Sequence, residues 1–213
     1  MHFLDPTLED YIDRHSQDEP ELLNRLTRET HLKVVQPRMI TGHYQGRVLS
    51  LLSKLTRPRH ILEIGTYTGY SALCLAEGLH KEGVLHTIDV NEELFEMQRR
   101  YFDKSPYSRQ IVQHTGNALE IIPTLDLEFD LVFIDAEKTE YPRYLELVLE
   151  KCGSGSIILS DNVLWSGKVI EKADPKDKAT SILQEYNALL KDHPRLETVI
   201  LPVRDGLSLS RVL

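Results

Sequence analysis

The stretch Ile61-Leu62-Glu63-Ile64-Gly65-Thr66-Tyr67-Thr68-Gly69-Tyr70-Ser71 decides the fold of this chain. An apolar run ends in a glycine-containing turn, and a helix is predicted to begin directly after it. A strand, a tight turn and a helix form the opening unit of a doubly wound α/β domain. Gly65 and Gly69 allow the backbone to bend sharply and to approach a ligand closely.

The spacing of this turn differs from the dinucleotide-binding pattern Gly-x-Gly-x-x-Gly. Glu63 precedes the first glycine and would repel a phosphate. A carboxylate at this position suits a cationic group better, such as the amino group of a nucleoside-linked amino acid. The alternative interpretation is a plain strand-to-helix turn that carries Glu63 on the protein surface.

The order of apolar segments predicts an α/β fold with a mostly parallel sheet and helices on both of its faces. The predicted strands are 60–64, 84–89, 110–115, 130–135, 155–160, 196–201 and 207–212. The predicted helices beyond the N-terminal region are 48–55, 70–80, 91–103, 117–122, 139–151 and 176–191. Only residues 202–206 join the last two strands, which is too short for a crossover helix. We therefore expect a Rossmann-like sheet of seven strands whose last strand runs antiparallel, as a reversed edge strand.

Residues 1–213 are predicted to form a single domain, within which residues 1–35 form an N-terminal helical arm. Asp5-Pro6-Thr7 is typical of a helix start, because an acid can cap the helix and proline suits its first turn. Glu19-Pro20-Glu21 marks the start of a second helix. Because both helices precede the first strand, we expect them to cover one end of the sheet.

The composition excludes several classes of protein. The formal net charge of −8 argues against a general nucleic-acid binder, although it does not exclude recognition of one RNA. Two cysteines, Cys74 and Cys152, provide neither a zinc cluster nor a disulfide framework, and we expect both in apolar helical surroundings. No apolar run has the roughly 18 residues of a membrane span. Residues 1–5 lack the features of a signal peptide, so we expect a cytoplasmic protein.

Polar residues follow three of the predicted strands, at the edge of the sheet where ligands bind in such folds. Asp89 ends the second strand and suits a ribose hydroxyl, with a helix cap as its alternative role. Asp135 ends the fourth strand, and Asp161 and Asn162 follow the fifth. Oxygen ligands favour Mg²⁺, Ca²⁺ or Mn²⁺ over zinc. We therefore predict a site for a hard divalent cation here, with a turn pair and a helix cap as the alternative.

Two more positions near these strand ends are candidates for function. Lys138 lies three residues after Asp135, where it could act as a base, and its alternative role is that of a solvated surface lysine. The small residues around Ala118 follow the third strand and would let an adenine lie against the backbone. The preceding Asn117 could equally be a helix cap.

Together these residues resemble the cation-dependent S-adenosylmethionine O-methyltransferases of the catechol and caffeoyl-CoA type. The likeness extends from about Met39 to the C-terminus. It rests on Met39-Ile40-Thr41, Gln45-Gly46, residues 62–71, Asp89, residues 116–118, residues 134–141 and residues 161–167.

This resemblance implies S-adenosylmethionine as cofactor and Mg²⁺, or another hard divalent cation such as Mn²⁺ or Ca²⁺, as metal. The implied cofactor-binding residues are Met39, Thr41, Glu63, Gly65, Tyr67, Ser71, Asp89, Ala118 and Asp135. The implied metal ligands are Asp135, Asp161 and Asn162, and the implied catalytic residues are Lys138 and Asp135. The implied substrate-binding residues are Met39, Lys138, Asn162 and Trp165. Asn117 and Asp89 depart from the family pattern, which often has Asp and Glu at these positions.

The acceptor expected from the resemblance is a catechol-like or phenolic small molecule. Short bacterial relatives are associated with methylation of 5-hydroxyuridine in tRNA, which is the alternative acceptor. A basic rim for RNA would consist of Lys33, Arg38, Arg47 and Arg57. An NAD(P)-binding oxidoreductase is an alternative of another class, and a non-catalytic binding protein is a further one. The family also implies a homodimer, for which the apolar N-terminal helices would provide the interface.

Overall fold

The computed structural model describes residues 5–213, which form a seven-stranded sheet with helices on both faces. The strands are β1 (His60–Ile64), β2 (Val84–Asp89), β3 (Ile111–Thr115), β4 (Leu131–Ile134), β5 (Ile157–Asp161), β6 (Leu196–Leu201) and β7 (Leu207–Val212). The α-helices are α1 (Pro6–Arg14), α2 (Glu21–Lys33), α3 (His43–Thr56), α4 (Tyr70–Ala76), α5 (Phe95–Lys104), α6 (Ala118–Ile121), α7 (Tyr141–Leu149) and α8 (Lys178–Asp192). Short 3₁₀ helices cover Pro37–Met39, Glu92–Leu94, Ile122–Thr124, Lys138–Glu140 and Trp165–Ile170.

The strand order is β3-β2-β1-β4-β5-β7-β6, and β1 to β5 pair in parallel. The last strand is antiparallel, as predicted, because β7 pairs antiparallel with both β5 and β6. Its expected position was wrong, since β7 lies between these strands and β6 forms the edge. The order reverses between β1 and β4, so their carboxyl ends flank the position where such sheets bind ligands.

Side chains that alternate along the strands supply two apolar cores, one on each face of the sheet. Ile61 of β1 belongs to the core formed with α2, α3, α4 and α5. Leu62, the next residue, belongs to the core formed with α6, α7 and α8. The central strands are apolar on both faces because helices cover both. The predicted parallel sheet with two helical layers is thus confirmed.

The predicted strands agree with the observed ones to within two residues at each end, whereas helix ends differ more. α4 ends at Ala76 rather than at residue 80, and Gly78 packs against the backbone of Ser53 so closely that no side chain would fit. Cys152 is buried but lies after α7 rather than in a helix. At the N-terminus, Asp5 caps α1 by accepting a hydrogen bond from the Thr7 N–H at 2.8 Å.

The N-terminal helices lie on one face of the molecule rather than over the end of the sheet, because α2 packs on α4 and α5. Within the described residues, no helix combines the length and the apolar character that a bilayer crossing needs. Residues 1–4, on which the expected absence of a signal peptide partly rested, lie outside the described residues. The cytoplasmic location and the assignment of residues 1–213 to one domain stay predictions.

Candidate functional site

The glycine turn after β1 forms the centre of the candidate site. Gly65 has a φ of 101°, and a side chain there would overlap the backbone carbonyl of Asp135 beyond β4. Gly69 has a φ of 90°, and a Cβ at this position would lie 2.7 Å from the Phe102 ring. Both backbone conformations and both close approaches favour glycine. The sharp bend predicted from the sequence is present and brings the turn against the tip of the neighbouring strand.

Glu63, the penultimate residue of β1, is fully buried, so the alternative of a surface glutamate is wrong. The Thr87 hydroxyl on β2 donates to Glu63 Oε2 at 2.5 Å, whereas Oε1 has no hydrogen-bond partner within residues 5–213. Burial raises the pKa of Glu63 to about 8, and the Ser71 and Thr87 hydroxyls oppose this shift. A buried carboxylate with a free oxygen fits a cationic group such as the α-ammonium of S-adenosylmethionine.

Asp89 and Ala118 follow the next two strands at the same edge of the sheet. Asp89 Oδ2 accepts a hydrogen bond from the Tyr67 N–H at 2.7 Å, and Oδ1 accepts one from the Asn91 N–H at 2.8 Å. Ala118 is buried at the start of α6, and Asn117 caps this helix with its side chain. Glu63, Asp89 and Ala118 therefore lie at the ends of three adjacent strands, as a nucleoside-linked ligand requires.

The two acidic strand ends that were predicted to bind a metal lie side by side. β4 and β5 pair in parallel with Ile134 opposite Ser160, so Asp135 and Asp161 occupy equivalent positions one residue further. The buried Tyr141 hydroxyl joins the two tips, because it lies 3.2 Å from the carbonyl of Ile134 and 3.0 Å from that of Asp161. The register brings both carboxylates to one edge of the sheet.

Lys138 reaches back to these strand ends from the 3₁₀ helix after β4. Its Nζ donates to Asp135 Oδ1 at 2.9 Å and to the Tyr141 hydroxyl at 2.7 Å. Only 11% of its side chain is exposed, so Lys138 is not a solvated surface lysine. Lys138 is thus held between a carboxylate and a phenol at the strand ends.

Asp161 is buried, and this burial raises the pKa of its carboxyl group. The neighbouring Asp135 carboxylate raises it further, while the side chains of Lys138 and Gln45 oppose the shift. Two carboxylates that share a site repel each other unless a cation lies between them. Asn162 has a φ of 58°, and its N–H donates to Asp161 Oδ1 at 2.7 Å.

The donor set at this edge contains oxygen atoms only. Among the described residues, no three His, Cys, Asp or Glu side chains form a group that could hold a metal ion. The ligands predicted from the sequence, the carboxylates of Asp135 and Asp161 and the amide of Asn162, would offer oxygen atoms. Such a set fits a hard divalent cation and does not fit zinc, which prefers nitrogen and sulfur ligands.

Gln45 is a site residue whose importance the sequence alone did not reveal, although the family motif included it. It lies in the first turn of α3 and is fully buried, near enough to Asp161 to lower the pKa of that carboxyl group. Neither of its amide atoms completes a hydrogen bond in the described part of the chain. Its place in a helix whose buried residues also include Arg47 and Ser50 gave no distinct signal in the sequence.

Trp165 lies beyond Asn162 in a segment with unusual backbone conformations. Trp165, Ser166 and Gly167 have φ values of 48°, 54° and 81°, so three consecutive residues are left-handed. The Trp165 Nε1 is buried and has no hydrogen-bond partner among residues 5–213. Lys168 Nζ lies 5.9 Å from the centroid of its ring. Clustered left-handed residues of this kind are typical of functional segments.

Residues 36–41 lie beside the glycine turn, as expected for a segment that borders the cofactor. The Tyr67 hydroxyl donates to the Gln36 carbonyl at 2.8 Å, which ties the segment to the turn. Thr41 is buried, whereas 57% of Met39 is exposed. The structure thus places the predicted strand-end residues at one edge of the sheet and residues 36–41 beside the glycine turn, while the individual roles of the site residues stay predictions.

The basic rim expected for RNA does not form from all four predicted residues. Arg47 is buried and pairs with Glu77, with Nη2 2.6 Å from Oε1. Ser50 and Lys54 also donate to Glu77, so Arg47 belongs to an internal network between α3 and the end of α4. The sequence did not show that this charged residue turns inward.

Comparisons with known proteins agree with this geometry. An O-methyltransferase family model matches residues 13–213. Caffeoyl-CoA O-methyltransferase of Petroselinum crispum is 34% identical over 205 residues, which cover 91% of this chain and 84% of that protein. Caffeoyl-CoA O-methyltransferase 1 of Arabidopsis thaliana is 32% identical over 204 residues, covering 91% and 78% of the two chains.

Solved structures are similar over nearly the whole chain. The O-methyltransferase TomG from Streptomyces achromogenes, solved with S-adenosylmethionine, has a TM-score of 0.89 at 29% identity and covers 97% of this chain and 96% of its own. An O-methyltransferase from Bacillus cereus, in complex with S-adenosylhomocysteine, has a TM-score of 0.89 at 26% identity, with 97% of both chains covered.

These matches rule out the alternative of an NAD(P)-binding oxidoreductase, because the family model, the caffeoyl-CoA relatives and the neighbour TomG are O-methyltransferases. They also rule out the alternative of a non-catalytic binding protein, because the matching family and relatives are O-methyltransferases. The chain therefore belongs to the O-methyltransferase family that includes the caffeoyl-CoA enzymes, and it is an S-adenosylmethionine-dependent O-methyltransferase.

Proposed function

We propose that this enzyme methylates a hydroxyl of a catechol-like or phenolic small molecule and that it requires Mg²⁺ or a similar hard cation. The observation that carries this proposal is the pairing of β4 with β5, which sets Asp135 and Asp161 side by side with Lys138 in contact. The plant relatives are named for caffeoyl-CoA, whose caffeoyl group is a catechol. Oxygen-rich acceptors match a hard cation, because such cations prefer oxygen ligands.

Asp135, Asp161 and Asn162 would hold the cation, and Glu63, Ser71 and Asp89 would hold S-adenosylmethionine. When bound, the cofactor supplies a methyl group on a positively charged sulfur, and the cation makes an acceptor hydroxyl easier to deprotonate. These contributions leave the chain itself with three tasks: positioning, proton transfer and exclusion of water.

Lys138 is suited to the proton transfer. Its Nζ already contacts Asp135 Oδ1 and the Tyr141 hydroxyl, so its position is fixed before an acceptor arrives. From there it would orient the attacking hydroxyl, or accept its proton after first losing one of its own to solvent. Trp165 and Met39 offer apolar surface for an aromatic ring, and coverage of the site by such surface limits the access of water.

The decisive test is a methyl-transfer assay with labelled S-adenosylmethionine and Mg²⁺, in which a panel of catechols competes with hypomodified tRNA. We expect transfer to catechols and loss of this transfer in chelator. Transfer to tRNA alone would contradict a phenolic acceptor and would support the 5-hydroxyuridine alternative. Transfer to catechols that persists in chelator would contradict the metal requirement.

RNA is the less favoured acceptor for two physical reasons. The net charge of −8 opposes phosphate binding, and Arg47 is already neutralised by Glu77. Without Arg47, the expected rim would retain only Lys33, Arg38 and Arg57, and Lys33 pairs with Glu29 at 2.9 Å.

We also propose that two copies of the chain associate through their N-terminal helices, together with the exposed face of α3, which packs beside α1. Leu51 and Leu55 lie one turn apart on α3 and are 60% and 79% exposed, and Leu8 and Tyr11 of α1 are also exposed. Exposed apolar side chains of this kind are typical of interfaces. Light scattering should find a dimer that the paired change Leu51→Glu and Leu55→Glu dissociates, while Ile170→Glu, at another exposed apolar residue, leaves it intact. A monomeric wild-type protein would contradict this assignment.

A further inference from the structure

The turn between β6 and β7, residues 202–206, contacts two segments of the site that are far apart in the sequence. One segment is residues 39–42, which precede α3 and contain the predicted cofactor residue Thr41. The other is residues 162–167, which follow β5 and contain Asn162 and Trp165. Adjacent residues of the turn, Arg204 and Asp205, make these contacts.

Arg204 holds the cofactor-side segment. Its Nη1 donates to the Ile40 carbonyl at 2.9 Å and also to the Thr41 carbonyl. Arg204 has a φ of 48°, a left-handed conformation, and the preceding Val203 is buried in the core that also contains Ile40. The guanidinium group is therefore directed at these carbonyls by a turn that the core anchors.

Asp205 holds the segment that carries Trp165. Its Oδ1 accepts the Ser166 N–H at 2.5 Å, and its carbonyl accepts the Leu164 N–H at 2.9 Å. The neighbouring Gly206 carbonyl accepts the Val163 N–H at 3.1 Å. These three bonds cover the residues on both sides of Trp165, and a carboxylate acceptor makes the bond to Ser166 a strong one.

The conformations of Trp165 and Ser166 need this support. Left-handed backbone in non-glycine residues is unfavourable and persists only when the surroundings impose it. The carboxylate of Asp205 binds the N–H of a left-handed residue directly. Gly206 packs against Leu164 so closely that a side chain would overlap it, which fixes the same segment from the other side.

We infer that Arg204 and Asp205 are positioning residues that set the two sides of the site independently: Arg204 fixes Thr41 for the cofactor, and Asp205 fixes Trp165 for the acceptor. The cofactor part rests on the family, and the acceptor part rests on the proposed function. The two sides are aligned by one short turn, and methyl transfer is sensitive to such alignment.

The test uses the full-length enzyme and needs no acceptor. Calorimetry with S-adenosylhomocysteine measures the cofactor side, and the fluorescence of Trp165, the only tryptophan of the chain, measures the acceptor side. The variants are Arg204→Ala, Asp205→Ala and Asp205→Asn. Arg211→Ala on β7 is the control, because this arginine is exposed and its ion pair is a long one.

We expect Arg204→Ala to weaken S-adenosylhomocysteine binding about tenfold, the equivalent of one charge-assisted hydrogen bond, with unchanged Trp165 emission. Asp205→Ala should shift the Trp165 emission and increase its quenching by acrylamide, with unchanged S-adenosylhomocysteine affinity. Asp205→Asn should retain the wild-type emission, because its amide oxygen can still accept the Ser166 N–H.

Three results would overturn the inference: equal emission changes in both Asp205 variants, equal losses of affinity in the Arg204 and Asp205 variants, or an Arg204 variant that behaves like Arg211→Ala. Thermal unfolding of each variant separates a local change from loss of the fold. If the wild-type enzyme binds S-adenosylhomocysteine but methylates no phenol, the proposed function fails while these readouts still decide the role of the turn.

Discussion

The cofactor side of the site and its acceptor side are built in different ways. Around Glu63 and Asp89, strand ends and a glycine turn hold buried or hydrogen-bonded side chains. Around Trp165, a loop with three left-handed residues is held by a neighbouring turn. One side depends on the sheet itself, whereas the other depends on contacts between loops.

This difference matches the two ligands. The methyl donor of such an enzyme is always the same molecule, so a rigid set of strand ends can recognise it. The acceptor varies within the family, and loops can change without disturbing the sheet. The strand-end acids Asp135 and Asp161 lie at the boundary, and changes there should affect both sides.

The largest effect is expected at this boundary. Asp135→Ala should lower metal-dependent turnover by about 10³-fold, because several kcal/mol of charge stabilisation would be lost with the cation. The measurement is the rate of methyl transfer with Mg²⁺ and with chelator. Glu137→Gln, at an exposed acid two residues away, is the control. Full activity of Asp135→Ala in chelator would remove the metal from the mechanism.

A second change should weaken binding on the cofactor side alone. Glu63→Gln should weaken S-adenosylhomocysteine binding by about 100-fold, because a buried charge-assisted hydrogen bond is replaced by a neutral one. Calorimetry measures this loss, and Glu82→Gln at an exposed glutamate serves as control. Unchanged affinity in Glu63→Gln would mean that the free Oε1 does not receive the ammonium group.

The pH dependence of stability should test the burial of Glu63 without any ligand. Burial raises the pKa of Glu63 from 4.5 to about 8, so in this window the folded protein keeps a proton that the unfolded chain has lost. Stability should therefore fall as the pH rises from about 5 to about 8. Thermal unfolding should show a steeper fall for the wild type than for Glu63→Gln. Parallel curves would contradict a neutral, buried Glu63.

The smallest effect is expected on the acceptor side. Trp165→Phe keeps an aromatic ring but removes the indole N–H and part of the ring surface, which is worth about 1 kcal/mol in an aromatic contact. We expect the KM for a phenolic acceptor to rise several-fold with unchanged affinity for S-adenosylhomocysteine. Steady-state kinetics and calorimetry together measure this split. A loss of cofactor affinity instead would show that the two sides are not separate.

The sequence could predict the sheet because the central strands are short apolar runs that need only their own residues to be recognised. The strand-end acids could be predicted for the same reason, since parallel strands bring their carboxyl ends to one edge. The position of β7 between β5 and β6 could not be predicted, because it depends on which strands pair with each other.

Features formed between distant segments also escaped prediction. The burial of Glu63 depends on Thr87 of the next strand, and that of Arg47 on Glu77. The contact of Arg204 with the Ile40 carbonyl joins residues that are 164 positions apart. Local periodicity carries no information about such pairs, so side-chain burial and partners are what the structure adds.

The insertion of β7 between β5 and β6 has a consequence for synthesis of the enzyme. Asp161 of β5 pairs with Leu207 of β7. On that side, β5 therefore has no neighbouring strand until residues 207–212 have left the ribosome. A nascent chain that stops before this segment keeps an open β5 edge, available to other chains. Pairing of β5 on this side therefore waits for residues 207–212, and products truncated before them are expected to aggregate.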